Sequence, residues 1–290
     1  MVLSFSDLKN SRAKSLESLT TELQKQAAPK FVEDERIWYP DVDKAGNGYA
    51  VIRFLPAPKG EEVPFVRVWS HSFQGKTGSW YIENSLTTLG KPDPVSEYNS
   101  ILWNSGQDSD KEIARKQKRK LTYISNILVL KDIAHPENEG KVFLFRYGKK
   151  IFDKLNNLMI PQFPDEPPIN PFDFWAGVPL RLKICTVEGY RNYDQSEFVK
   201  PPSPLTDNDE ELEKIWNQQH SLQEFVSGKN FKTYDELKAR LDRVLGTTGK
   251  RVTSAAVADD DNSPPPFDVD ETDEEHKKTV SLFQSLVNKQ

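Results

Sequence analysis

Residues 123–147 read YISNILVLKDIAHPENEGKVFLFRY, and this stretch carries the clearest structural signal in the chain. Residues 123–131 and 141–147 are rich in branched and aromatic side chains, which favour β-strands. Residues 136–140 combine proline, asparagine and glycine, which is typical of a turn. The sequence therefore predicts a β-hairpin at the centre of the fold.

Cations gather at the two outer ends of this hairpin. The first group, within residues 115–120, consists of Arg115, Lys116, Lys118, Arg119 and Lys120. The second group follows the other strand and consists of Arg146, Lys149 and Lys150. If the strands pair, both groups converge at one end of the hairpin, where they can neutralise phosphates. The alternative is a solvated helix end, which is the commoner role of a charge run.

Aromatic side chains near these cations are candidates for stacking on unpaired bases. They are Trp103, Tyr123, Tyr147, Tyr190 and Tyr193. Rings on strands more often fill a core, so Tyr190 and Tyr193 in the predicted loop 189–193 are the best of the set. We expect cations and rings together to line a channel for a single strand.

Arg53 interrupts the apolar strand predicted at residues 49–55. It is either a solvent-facing residue of an alternating strand or a phosphate contact inside a groove. The residues alone leave both interpretations open.

The remaining pattern indicates a mainly β (α+β) fold with helical inserts. Strands are predicted at 49–55, 64–73, 78–82, 123–131, 141–147 and 180–187, and helices at 95–103, 108–118, 149–159, 209–226 and 233–245. Short strands with helical interruptions suit a small barrel of the OB type. Periodicity alone does not separate that barrel from another mixed β fold.

Three segments are expected along the chain. Residues 1–28 form a helical arm whose apolar stripe is too thin for a core helix, and residues 29–246 form the core. Residues 247–290 form an acidic, mostly disordered tail that ends in an amphipathic segment at 280–287. The tail is either a solubilising extension, a mimic of DNA that occupies the basic groove, or a hook for partners.

Charge is distributed unevenly along the chain. The net charge is −5, and residues 251–290 alone hold nine acidic and four basic side chains. Residues 111–154 hold twelve basic and five acidic side chains. A polyanion responds to this local field rather than to the total.

Other functional classes receive little support. The four histidines are scattered, and no phosphate-binding glycine loop, nucleophile motif or carboxylate cluster is present, so we expect no enzyme and specifically no nuclease. No apolar run is long enough to cross a membrane, the N-terminus does not resemble a secretory signal, and the single Cys185 fits a reducing compartment. The main alternative to nucleic-acid binding is a protein-interaction scaffold whose basic patch binds acidic partners.

From about residue 44 to residue 198, the chain closely resembles the single-stranded DNA-binding (helix-destabilising) proteins of T-even-type bacteriophages. The resemblance rests on several motifs in one order: AGNG at 45–48, AVIRFLP at 50–56, WYIE at 80–83, NILV at 126–129, PENEGKVF at 136–143, YGKKI at 147–151, and Gly189 with NYD at 192–194. Contiguous matches of this kind are far more specific than an isolated motif.

The resemblance implies an OB-fold core whose cleft binds single strands without sequence preference. It implies that the protein coats DNA during phage replication, recombination and repair in the cytoplasm of the infected host cell. It also implies phosphate or base contacts for Arg53, Trp103, Lys118, Arg119, Lys120, Tyr123, Tyr147, Tyr190 and Tyr193.

The terminal segments acquire roles from the same resemblance. An N-terminal arm that includes Lys9, Arg12, Lys14 and Ser15 is expected to dock on the neighbouring protomer and make binding cooperative. The acidic tail is expected to recruit replication and recombination proteins.

The chain departs from the resembled family at a structural zinc site of one histidine and three cysteines. His71 stands at the histidine position, but Ser85, Asp93 and Ser96 stand where the cysteines would be. One imidazole and a carboxylate do not make a tetrahedral zinc site. We therefore predict no zinc and no other cofactor, with this region held by apolar packing of Trp80, Ile82 and Leu86.

Overall fold

The structure is a computed structural model that describes residues 34–187 and 189–247. The chain divides into two compact units, residues 1–35 and 36–290, and the elements below belong to the second. The predicted arm with Lys9, Arg12, Lys14 and Ser15 lies outside the described residues, as does the tail from residue 248 onward.

Nine strands and five α-helices occur within the described residues. The strands are β1 (Ile37–Trp38), β2 (Gly48–Phe54), β3 (Val66–Gln74), β4 (Trp80–Asn84), β5 (Lys120–Asp132), β6 (Val142–Tyr147), β7 (Pro179–Val187), β8 (Tyr190–Asn192) and β9 (Glu197–Phe198). The helices are α1 (Pro94–Asn104), α2 (Asp108–Lys116), α3 (Lys149–Met159), α4 (Asp209–Asn217) and α5 (Tyr234–Leu245). The predicted strands and the first three predicted helices are confirmed to within a few residues.

The strands form one mixed sheet in which the order β1-β6-β5-β2-β7-β8 is continuous. The long strand β5 pairs antiparallel with β2, β3 and β6, while β1 runs parallel to β6. Among the described strands no ladder joins β1 to β8, so the sheet does not close into the barrel that the sequence predicted. The sheet has more strands than the sequence predicted. The additional strands β1, β8 and β9 are too short for a side-chain pattern to reveal them.

Helix α3 covers one face of this sheet. Its side chains Ile151, Phe152, Leu155 and Met159 pack in the largest apolar cluster, together with strand residues from β2, β5, β6 and β7. Phe152 stacks on Tyr123 with 3.9 Å between ring centroids. The amphipathic pattern predicted for residues 149–159 is confirmed.

A short 3₁₀ segment, Gln223–Val226, covers part of the opposite face. The preceding Leu222 packs against Val66, Val68 and Ile124, with Phe225 beside them. The single helix predicted over 209–226 is wrong, because α4 ends at Asn217. Tertiary hydrogen bonds replace helical ones here: the Asn126 side chain bonds both backbone groups of His220, and Glu61 accepts from the Leu222 N–H.

Helix α5 packs on the β3–β4 hairpin and on α1. This second cluster contains Phe73, Tyr81, Leu86 and Val95, with Leu237, Leu241, Val244 and Leu245 from the helix. The predicted packing of Trp80 and Ile82 is wrong, since these side chains are 55% and 59% exposed. Strand alternation turns Tyr81 inward and its two neighbours outward.

The ends of α5 agree with the sequence. Thr233 and Glu236 form a capping box, and Gly246 adopts the left-handed conformation that ends the helix. None of the described helices is long and apolar enough to cross a membrane.

Candidate nucleic-acid interface

The basic run, defined as Arg115 to Lys120, spans the junction between α2 and β5. Arg115 and Lys116 lie in the last turn of α2, where cations interact favourably with the helix dipole. Arg115, Lys116 and Lys120 are exposed, whereas Lys118 and Arg119 are half-buried. The run therefore presents at least three positive side chains to solvent.

Two arginines of the basic run lie over tryptophan rings. The Arg119 guanidinium is 4.1 Å from the ring centroid of Trp69, and that of Arg115 is 5.4 Å from Trp103. Cation–π contacts of this kind restrain the guanidinium without neutralising it. Trp69 is not among the predicted site residues. It lies beside Arg119 because Trp69 pairs with Leu121 between β3 and β5, and the sequence alone does not show which strands pair.

The second group of cations lies toward the same end of the hairpin as the start of β5, but its members do not share one face of the sheet. Tyr123 pairs with Tyr147 across β5 and β6, so Lys120 and Lys149 flank the same end of the hairpin. Both lysines of this group also have carboxylate partners. Lys149 lies 3.2 Å from Asp153, and Lys150 lies 2.9 Å from Asp194.

The Lys150–Asp194 ion pair links α3 to the loop that follows β8, whereas the Lys149–Asp153 pair lies within α3. Lys150 donates to the Asp194 carboxylate and Lys154 donates to its backbone carbonyl. Hydrogen bonds from Lys150 and then Asn192 lower the pKa of Asp194 below its usual value. A phosphate approaching Lys150 must therefore compete with Asp194.

Arg146 lies on the other face of the sheet from Tyr147. It pairs with Ile124 across the ladder, and its guanidinium is 5.7 Å from the ring centroid of Phe225. Arg36 approaches the same ring at 5.9 Å. Arg146 is exposed, but it faces away from the α3 side of the sheet.

Tyr123 and Tyr147 are not exposed stacking platforms, which contradicts the sequence prediction. Their exposed fractions are 0% and 4%, and both belong to the main apolar cluster. The Tyr147 hydroxyl is paired with Ser125 at 2.8 Å. Burial raises the pKa of Tyr147, and the Ser125 hydrogen bond opposes that shift. The rings are internal because α3 covers this face.

Arg53 is also buried, which contradicts both interpretations drawn from the sequence. Its exposed fraction is 2%, and Nη2 donates to the carbonyl oxygens of Asp173 and Ser203 at 2.9 Å. Burial lowers the pKa of Arg53 to about 10, while the Asp173 charge raises it. The guanidinium holds two loops together and is not available to a phosphate.

Three predicted ring contacts remain accessible to different degrees. Tyr190 is 78% exposed on β8, which extends the predicted loop into a short hairpin with β7. Tyr193 is partly buried against the main cluster, and Trp103 is half-buried beneath Arg115.

The positions that resemble a zinc site form a hydrogen-bonded cluster instead. His71 Nε2 lies 3.3 Å from Asp93 Oδ1, and both side chains are buried. Asp93 caps α1: it accepts from the N–H groups of Val95 and Ser96, and from that of Leu86. Burial would raise the pKa of Asp93, but His71 and the N–H groups of Ser96 and Leu86 lower it to about 2.

This cluster does not fit a tetrahedral zinc ion. The Ser85 hydroxyl is engaged with Thr87 at 3.0 Å, and both Asp93 oxygens already accept backbone hydrogen bonds. Zinc sites of this class use thiolate and imidazole ligands. Within residues 34–187 and 189–247, no group of three or more His, Cys, Asp or Glu is placed to hold a metal. The absence of zinc from the protein stays a prediction.

The chain is similar to known proteins over most of its length. The family described as gp32 DNA binding protein like matches residues 46–245. A single-stranded DNA-binding protein of Enterobacteria phage T2 is 39% identical over 258 residues, which cover 86% of this chain and 84% of that protein. The single-stranded DNA-binding protein of Enterobacteria phage T4 is 40% identical over 234 residues, covering 78% of this chain and 77% of that protein.

Proposed function

The chain belongs to the family of gp32-like DNA-binding proteins, and on that premise we propose that it binds single-stranded DNA without sequence preference. The family consists of binding proteins rather than enzymes. The observation that supports the proposal is the pairing of β5 with β6, which brings Lys120 and Lys149 to one end of the hairpin. Phosphates are the ligands that such a field attracts.

The contacts to DNA come from side chains that solvent reaches at least in part. They are Trp103, Arg115, Lys116, Lys118, Arg119, Lys120, Arg146, Lys149, Lys150, Tyr190 and Tyr193. The cations neutralise phosphates and the rings stack on bases, which needs no particular sequence. Arg53, Tyr123 and Tyr147 contribute indirectly, by holding the sheet and loops that carry these groups.

Binding by mass action explains how such a protein favours open DNA. A ligand that binds the single strand and not the duplex shifts the equilibrium toward melting. Strands whose phosphates are neutralised and whose bases are stacked on rings reanneal less readily. Replication, recombination and repair all expose such strands, and we place the protein's role there, within the infected cell.

The organisation around this site is part of the proposal. The core is an open variant of the OB type at residues 29–246, supported by the central strand β5, which pairs with three neighbours. Residues 1–28 act on neighbouring protomers bound to the same strand. Residues 247–290 contact replication and recombination proteins through their acidic side chains.

Salt dependence tests the electrostatic part directly. Affinity for a labelled oligo-dT is measured by fluorescence anisotropy at several salt concentrations, with duplex DNA as competitor. We expect about half of the eight cations of the interface to contact phosphates at one time, and four or five contacts give a log–log slope of about −3, from ~−0.7 per contact. A slope near zero, or equal competition by the duplex, refutes the proposal and favours a scaffold for acidic proteins.

Charge-removing variants locate the contacts. Lys116→Gln and Lys120→Gln each remove an exposed cation of the basic run, so each is expected to make the slope shallower by up to about 0.7. Lys59→Gln removes an exposed cation outside the run and serves as the matched control. If all three variants weaken binding equally, the basic run is not the contact site.

A further inference from the structure

We propose that a buried polar hub, formed by His71, Asp93 and Asn99, positions the basic run through the backbone carbonyl of Gln117. This inference rests on the proposed function, because it assigns the hub a role in DNA contact. It also gives the positions that resemble a zinc site a task that needs no metal.

The hub meets the basic run at a single oxygen atom. His71 Nδ1 donates to the Gln117 carbonyl at 3.0 Å, and Asn99 Nδ2 donates to the same oxygen at 3.2 Å. A carbonyl only accepts, so Nδ1 carries the proton. Gln117 lies in the middle of the run and is itself 5% exposed. Two buried donors thus hold one backbone atom between the cations.

Asp93 fixes the helix that carries one of the two donors. It caps the N-terminus of α1, the helix that carries Asn99, and its Oδ1 lies 3.3 Å from His71 Nε2. His71, Asp93 and Asn99 are each 1% exposed. Hydrogen bonds that are this well shielded from water are stronger and more restrictive than exposed ones. The hub therefore locks β3, α1 and the end of α2 together.

The position of Gln117 controls both cation–π contacts of the run. Arg115 and Arg119 are each two residues from Gln117, and their guanidinium groups lie over Trp103 and Trp69. Those rings belong to α1 and β3, the two elements that supply the donors. A displaced Gln117 carbonyl would move both arginines relative to their rings and change the spacing of charges offered to phosphates.

Removing one donor tests the hub. Asn99→Ala deletes the α1 donor, and Ser100→Ala is the matched control on the same helix, since the Ser100 hydroxyl donates to the Ser96 carbonyl within α1. At position 71, His71→Asn keeps a donor near Nδ1 whereas His71→Leu removes it. Each variant is first melted, and binding to oligo-dT is measured well below its midpoint over a range of salt concentrations.

The expected result separates positioning from stability. Asn99→Ala and His71→Leu weaken oligo-dT binding by roughly three- to tenfold, because the displaced arginines no longer contact phosphates as well. Their salt slopes become shallower by about 0.7 for each phosphate that the variant no longer neutralises. Ser100→Ala matches the wild type, and His71→Asn recovers most of the affinity that His71→Leu removes. If Asn99→Ala does not fold, the two variants at position 71 decide the question.

The outcomes also distinguish this inference from the proposed function. A wild-type protein that binds oligo-dT with a steep salt slope, beside folded hub variants of unchanged affinity and slope, overturns the hub alone. A wild-type protein with no salt-dependent binding overturns the proposed function. Dialysis of the full chain against a chelator is expected to leave its affinity and melting midpoint unchanged, and a loss of either shows that a metal, and not the hub, holds the run.

Discussion

The hydroxyl pair between Tyr147 and Ser125 offers a sharp test of the buried aromatic cluster. The two oxygens lie 2.8 Å apart, and the side chains are 4% and 0% exposed. Neither hydroxyl can turn to water when the other is removed. Tyr147→Phe and Ser125→Ala therefore each leave one buried polar group without a partner.

The expected magnitudes follow from this geometry. A buried hydroxyl that loses its partner costs about 1–2 kcal/mol of stability, in addition to any small change in packing. Replacing both groups removes the unpaired atom as well, so the double variant Ser125→Ala/Tyr147→Phe should lose less than the two single variants together. The coupling free energy is expected to be about 1 kcal/mol.

Urea denaturation of the wild type, the two single variants and the double variant measures this coupling. The comparison requires that m, the dependence of the free energy of unfolding on urea concentration, is the same in all four. Affinity for oligo-dT should stay within about twofold of the wild type, because the Tyr147 ring is internal and is kept as a ring. A single variant Tyr147→Phe with full stability but much weaker DNA binding would refute the reasoning. It would mean that the hydroxyl faces the nucleic acid and not Ser125.

Three further predictions test other buried groups. The lowered pKa of Asp93, about 2 against 3.8, contributes about 2 kcal/mol that is present above pH ~4 and lost as the pH falls toward 2. In Asp93→Asn the melting midpoint should depend less on pH over that range than in the wild type. If the midpoint of the variant varies with pH as that of the wild type does, Asp93 is not the group responsible. The Tyr81 hydroxyl is buried without a protein partner among the described residues, so Tyr81→Phe should leave stability unchanged or raise it by up to about 1 kcal/mol in urea. A Cβ on Gly177 would lie 2.4 Å from a backbone oxygen and 2.7 Å from the Arg53 guanidinium, so Gly177→Ala should destabilise by about 1–3 kcal/mol. Gly228→Ala, which meets nothing within 4 Å, is its control.

Local patterns were sufficient to predict the central hairpin. Two runs rich in branched and aromatic residues, joined by a turn with proline and glycine, specify β5 and β6, and their register follows from the turn. That register is what brings Lys120 and Lys149 to one end of the hairpin. The placement of these two lysines was therefore predictable, because it depends only on two consecutive strands and the turn between them.

The burial of the tyrosine rings could not be predicted from the sequence in the same way. Tyr123 faces α3, where Phe152 stacks on it, and the opposite face is covered by Leu222, almost a hundred residues further along the chain. A strand's alternation separates two faces but does not say which later segment covers each one. Arg53 illustrates the same limit, since its acceptors at Asp173 and Ser203 are supplied by distant loops.

The basic run combines exposure with restraint, and this combination favours binding. A flexible arginine side chain loses entropy when a phosphate immobilises it, which weakens association. Arg119 lies 4.1 Å from the Trp69 ring centroid, so part of that freedom is already absent in the unbound protein. The tryptophan does not neutralise the guanidinium, whereas a carboxylate partner such as Asp194 at Lys150 must be displaced before a phosphate can bind. Rings therefore restrain the arginines of the basic run, whereas a phosphate that binds the α3 lysines must compete with the carboxylates of Asp153 and Asp194.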